Sequence, residues 1–176
     1  MSDDTERFSA VYRRHHPQVL AYALRRTDEA RAHDVVSETF VIAWRHHARL
    51  PDDPLPWLYR TARNCLSNEE RAARRQVRLV GRIATDGARF TSDHARGVTE
   101  SALIRAALRE LRTADREALL LVSWEGLDQR AAAEALGCSV TAFKVRVFRA
   151  RRRLSRLLEV AGTETTTFDI STEGAL

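Results

Sequence analysis

The sequence predicts an all-α protein of two small helical domains joined by a flexible linker, the second domain containing a helix-turn-helix. Three observations carry this. Apolar residues recur at helical spacing through residues 5–75 and again through 99–158, and no stretch alternates apolar and polar positions as a half-buried strand would. Between them, over 76–98, the period dissolves around Gly81, Gly87 and Gly97, the composition of a linker. The third is a capped break: Gly137 interrupts two helical patterns, with Asp128 ahead of the first and Ser139 ahead of the second. The expected boundaries are therefore 1–75, a linker at 76–98, 99–160, and a tail at 161–176 that contains no basic residue and no sustained period and is expected to be disordered.

Composition narrows the class. A chain of 176 residues with 44% hydrophobic content can form two small cores, which excludes disorder throughout. The net charge of +5 arises from 29 basic and 24 acidic residues, so the basicity is local, and it favours a nucleic-acid partner over a membrane. No apolar run reaches the length of a membrane span, and MSDDTERFSA lacks the basic start and apolar centre of a signal peptide. A cytoplasmic location is expected. Cys65 and Cys138 fall in different helical segments, which favours reduced, packed thiols over a disulfide or metal site.

In chain order, Phe8, Val11, Tyr12, Val19, Leu20 and Tyr22 have helical spacing, with Pro17 marking a break or the first turn of a second helix, so a helical hairpin or a bent helix is expected. Asp28 opens a helix over 29–46 whose buried stripe is expected to be Val35, Val36, Thr39, Phe40, Ala43 and Trp44, leaving Asp34, Glu38 and Arg45 outside. Pro51, Asp52, Asp53, Pro54 and Pro56 force a loop, and Pro56 suits the first turn of the next helix. That helix, over 57–75, buries Leu58, Ala62, Cys65 and Leu66 and displays Arg60, Arg63, Asn64, Asn68, Arg71, Arg74 and Arg75. Trp57 and Tyr59 stand among these basic residues, where rings can stack on unpaired bases while arginines track phosphate; alternatively Trp57 staples the helix start into the core.

In the second half, Leu103, Ala106, Ala107 and Leu111 define a helix. Thr113 is expected to cap the next, with Leu119, Leu120, Val122 and Trp124 in its core. The stretch GLDQRAAAEALGCSVTAFKVRVFRARRRLSRLL then reads as the helix-turn-helix. Small alanines let its helices approach, and Val140, Phe143 and Val147 are expected to face inward. Thr141, Lys144, Val145, Phe148 and Arg149 face outward, as in a helix that enters the major groove. Lys144, Arg146, Arg149, Arg151, Arg152, Arg153 and Arg156 follow with no acidic residue among them, suiting phosphate.

Enzyme chemistry finds no foothold. The pairs His15–His16 and His46–His47 point about 100° apart on a helix, unlike the one-face arrangement of a helical metal site. Asp52 and Asp53 are ordinary turn residues, and there is no phosphate-cradling glycine loop or nucleophile elbow. No catalytic residue, metal or cofactor is expected.

Taken together, FSAVYRRHHPQVLAYALRRT, AHDVVSETFVIAWR, PLPWLYRTARNCLSNEERAARR, ALRELRTADREALLLVSWEG and the helix-turn-helix resemble the extracytoplasmic-function (ECF) sigma factors of bacterial RNA polymerase. The likeness spans residues 5–158 in family order. It implies a non-catalytic subunit that lends core polymerase two DNA-reading surfaces. The first domain would grip the clamp helices of the largest polymerase subunit and open the downstream (−10) promoter element; the second would meet the flap and read the upstream (−35) element. By position, the resemblance assigns Asp34, Val35, Glu38, Thr39, Phe40 and Trp44 to the clamp contact, and the loop 47–56 to capture of a flipped base. It assigns Trp57, Arg60, Arg63, Asn64, Asn68 and Arg71 to the downstream element, and Ser139, Thr141, Lys144, Val145, Arg146, Phe148, Arg149 and Arg152 to the upstream one. It also implies an anti-sigma partner. The chain departs from the family pattern at Ser37, where a glutamine is common, at Thr113, where a proline is usual, and at Ala132, where a larger aliphatic residue packs. The alternative is a stand-alone helix-turn-helix regulator, which would require a ligand pocket or a self-complementary face within residues 5–75.

Overall fold

The computed structural model describes residues 3–80 and 98–160, and every regular element among them is helical. Residues 81–97 of the expected linker and the tail 161–176 lie outside the described residues. The helices divide into two compact units.

The first unit packs three helices, α1 (Asp3–Leu24), α2 (Glu29–Arg45) and α3 (Leu55–Val80), each against the other two. Asp28 caps α2, its carboxylate accepting from the Arg31 N–H at 3.1 Å. Val19, Tyr22, Val35, Val36, Phe40, Leu58, Ala62 and Cys65 fill the space between the helices. Fully burying a side chain of the Val, Leu or Phe kind is worth about 1.5–3 kcal/mol, so this seam dominates the stability of the unit. At one end the Tyr22 ring stacks on Tyr59 at 4.8 Å, with the Arg26 guanidinium 3.6 Å from its centroid. Buried Thr39 satisfies its hydroxyl by donating to the Val35 carbonyl at 2.7 Å, which is why a polar residue fits the apolar stripe.

In the second unit α7 (Val140–Val160) packs against α4 (Val98–Arg109), α5 (Thr113–Ser123) and α6 (Gln129–Leu136). Phe143, Val147 and Ala150 form its inward seam, facing Leu108, Leu111, the run Ala118, Leu119, Leu120 and Leu121, and the small side chains of α6.

Several expectations change. Pro17 neither breaks the first helix nor begins a second; α1 runs through it. The proline is exposed, so water can reach the carbonyl one turn earlier that loses its N–H partner. Helix α3 begins at Leu55, where Asp53 Oδ1 accepts from the Leu55 N–H at 3.3 Å, and continues to Val80, past the end read from its apolar period. Tyr59 is core rather than a surface stacking platform, because its ring is spent on Tyr22. Trp44, near the end of α2, leaves the buried stripe and is 42% exposed, with the rings of Phe8 and His47 each at 5.0 Å. Trp124 likewise sits past the end of α5 at the C-cap and is exposed, and Val140, at the first turn of α7, is exposed rather than packed. Arg112, not Thr113, occupies the N-cap of α5, and no side chain caps that helix.

Candidate nucleic-acid interface

The α6–α7 turn is built by local chemistry. Asp128 Oδ1 accepts from the N–H groups of Arg130 and Ala131, both at 2.8 Å, and starts α6. Gly137 ends it in the left-handed region, at φ 67°, where a side chain would be strained. Cys138 N–H then reaches back to the Ala133 carbonyl at 3.0 Å, closing the helix end. Ser139 Oγ accepts from Ala142 N–H at 3.2 Å and opens α7 two residues after the break. Ala132, Ala133 and Ala135 are buried, so α6 can seat against the Phe143 ring without a long side chain between them.

This seating decides which residues of α7 remain outside. Thr141, Lys144, Val145, Phe148, Arg149 and Arg152 are all exposed, and at about 100° per residue they fall within an arc of about 140°. Ser139 is exposed at the entrance to the same helix. Phe148 is 60% exposed, with the Arg152 guanidinium 5.7 Å from its ring centroid. The arc therefore offers apolar surface at its centre and cationic donors on either side, a combination suited to base edges and flanking phosphates. Arg146 lies off this arc. Its Nε is 3.8 Å from Asp115 Oδ1 on α5.

A second polar face lies on α3. Arg60, Asn64, Asn68 and Arg71 are exposed and share an arc of about 80°, whereas Arg63 is half-buried at its edge. Trp57 is half-buried, with the His46 ring edge-on at 6.2 Å, so it is held at the helix start and still presents part of its ring. Between α2 and α3 a short 3-10 turn, His47–Arg49, leads into exposed Pro51, Asp52 and Asp53. His47 fastens this turn: its Nδ1 lies 2.8 Å from the Trp44 carbonyl, which can only accept, so Nδ1 carries the proton. Its Nε2 lies 3.7 Å from the Asp4 carboxylate of α1.

The residues assigned to polymerase separate by burial. Asp34, Glu38 and Trp44 are exposed on α2, while Val35, Thr39 and Phe40 belong to the core of the first unit. Val41, which periodicity did not single out, is exposed on the same face as Asp34 and Glu38. Its signal was an apolar residue seven positions after Asp34, off the buried stripe. Among the described residues no group of His, Cys, Asp and Glu could hold a metal ion, and no helix is long and apolar enough to cross a membrane.

Comparison with known proteins matches residues 11–76 to Sigma-70 region 2 and residues 101–154 to Sigma-70, region 4. The chain is 37% identical over 155 residues to the ECF RNA polymerase sigma factor EcfG of Rhodopseudomonas palustris, covering 84% of this chain and 83% of that one. It is 33% identical over 159 residues to the ECF RNA polymerase sigma factor SigL of Mycobacterium tuberculosis, covering 87% and 89%. Among solved structures it is similar to the sigma factor RpoE of Bartonella quintana, determined in complex with the anti-sigma factor NepR. That likeness has a TM-score of 0.70 and 26% identity, and covers 88% of this chain and 98% of that one. Two helical units in the order of regions 2 and 4, with relatives matched along most of both chains, leave one conclusion: the chain belongs to the ECF sigma factors, non-enzymatic initiation factors that direct RNA polymerase to specific promoters.

Proposed function

We propose that the two polar faces divide promoter recognition between them. The first unit, with α1 to α3 ending at Val80, holds polymerase and engages the −10 element; the second, with α4 to α7 from Val98 to Val160, reads the −35 element; and residues 81–97 connect the two. The observation that carries this is the composition of the exposed arc of α7, where Thr141, Lys144, Val145, Phe148, Arg149 and Arg152 combine base-reading and phosphate-binding chemistry on a helix entered through a capped turn. The arc on α3, with Arg60, Asn64, Asn68 and Arg71, supports contact with the duplex and the displaced strand; the loop 47–56 beside it supports capture of an unpaired base. Such capture would offset the few kcal/mol that unstacking a base costs.

Asp34, Glu38, Val41 and Trp44 form the exposed side of α2, and their mix of carboxylates and apolar surface suits the clamp helices of polymerase. Val35, Thr39 and Phe40 act behind them by holding α2 in place. The second unit meets the polymerase flap, and an anti-sigma partner holds the protein inactive, as the complex of RpoE with NepR suggests by analogy. These partners place its action in the cytoplasm. A stand-alone regulator has no comparable support, because family membership already accounts for both units. The test is run-off transcription from a promoter library with purified core polymerase. A defined start site with separable upstream and downstream sequence requirements is expected, and initiation indifferent to the upstream element would sink the assignment of α7.

A further inference from the structure

Arg146 sits in the middle of the basic run of α7 but points elsewhere. At about 100° per residue it falls between the exposed arc and the buried seam of Phe143, Val147 and Ala150. Its guanidinium meets Asp115 at 3.8 Å, and the two side chains are only 32% and 24% exposed. Asp115 stands in the first turn of α5, where the partial positive charge of a helix start favours a negative side chain. That helix start has no side-chain cap, so Asp115 supplies the anionic group there. An arginine drawn to a carboxylate on a neighbouring helix has less charge to offer phosphate, and the ion pair biases how the two helices sit against each other.

We propose that Arg146 is a positioning residue: through Asp115 it braces α7 against the first turn of α5, setting the angle at which the exposed arc meets the groove, and it does not itself contact DNA. The proposal rests on the reading of α7 as the upstream-element helix. The physical demand is strict, because recognition geometries tolerate errors of about 0.5 Å and 10–20°. A brace with little effect on folding can therefore have a large effect on base discrimination.

The test uses the full chain bound to core polymerase, with fluorescent promoter duplexes differing at single upstream base pairs, titrated over a range of salt. Arg146→Ala is expected to reduce discrimination between upstream variants by roughly threefold or more, with an unchanged salt slope and thermal midpoint. Arg146→Lys should retain most of the discrimination. Arg146→Asp should lose it, and the exchange Asp115→Arg with Arg146→Asp should restore it. An exchange no better than Arg146→Asp alone would deny that the pairing with Asp115 sets discrimination, and an Arg146→Ala slope flattened by about 0.9, as for one lost phosphate contact, would make Arg146 a DNA contact; either result overturns the proposal. Uniform weakening on all variants with a lowered thermal midpoint would also overturn it, in favour of a purely structural role. Arg149→Ala serves as the separate control: if it leaves both the affinity for upstream duplexes and the discrimination among them unchanged, the reading of α7 itself has failed, whatever Arg146 does.

Discussion

Asp128 and Gly137 show how single residues set α6 and α7 in place, one by accepting two N–H groups and the other by entering a backbone region closed to most side chains. Asp128→Ala leaves those N–H groups to solvent and should cost about 0.5–2 kcal/mol, read as a lower thermal midpoint of the second unit. An unchanged midpoint would mean that the turn holds without its cap. On the exposed arc, Arg149 and Arg152 should behave differently. If Arg149 reads a guanine with both donors, Arg149→Ala should cost about 1–3 kcal/mol on the preferred site and relax preference at one upstream base pair. Equal weakening on every upstream variant would move Arg149 to the phosphate class. Arg152→Ala should instead weaken all sequences alike and flatten the salt dependence, measurable in the same titrations.

At the scale of the element, α2 has a buried face and an exposed one, and the proposed polymerase contact lies on the exposed one. Reversing the charge of the exposed pair Asp34 and Glu38 to lysine should reduce the affinity for core polymerase while leaving the thermal midpoint of the first unit in place. Unaltered affinity in a pull-down or titration would remove the outer face of α2 from the clamp contact. Phe40→Ala should act the other way, costing about 3–5 kcal/mol of folding free energy, because Phe40 packs in the core and against Tyr12 at 4.7 Å. For α3 the separation is between binding and opening. Asn64→Ala, or replacement of the loop 47–56, should leave upstream binding intact yet impair strand opening, followed by a fluorescent base in the downstream element. Opening at the normal rate in both variants would take melting away from this face.

At the scale of the whole molecule, the proposed division gives each unit a single promoter element to read, so isolated protein should bind promoter duplex weakly and initiate at a specific site only once mixed with core polymerase. Tight operator binding by the free protein, measured by titration of labelled duplex, would contradict this. Much of that organisation was legible in the chain itself. Local rules place the helices, because caps such as Asp128 and Ser139, the glycine stop at Gly137 and the apolar period act over a few residues and need no distant partner. The outward positions of α7 were legible for the same reason: a buried seam at Phe143 and Val147 fixes the opposite face by geometry alone. Only the tertiary structure decided the fate of residues whose neighbours come from other helices. Tyr59 became core because Tyr22 arrives from α1, Trp44 stayed 42% exposed although Phe8 of α1 lies against it, and Arg146 turned to an acid on α5. Periodicity states that a residue lies on a face, but burial and ion pairing depend on what the rest of the chain brings to that face, and that is a property of the packed unit.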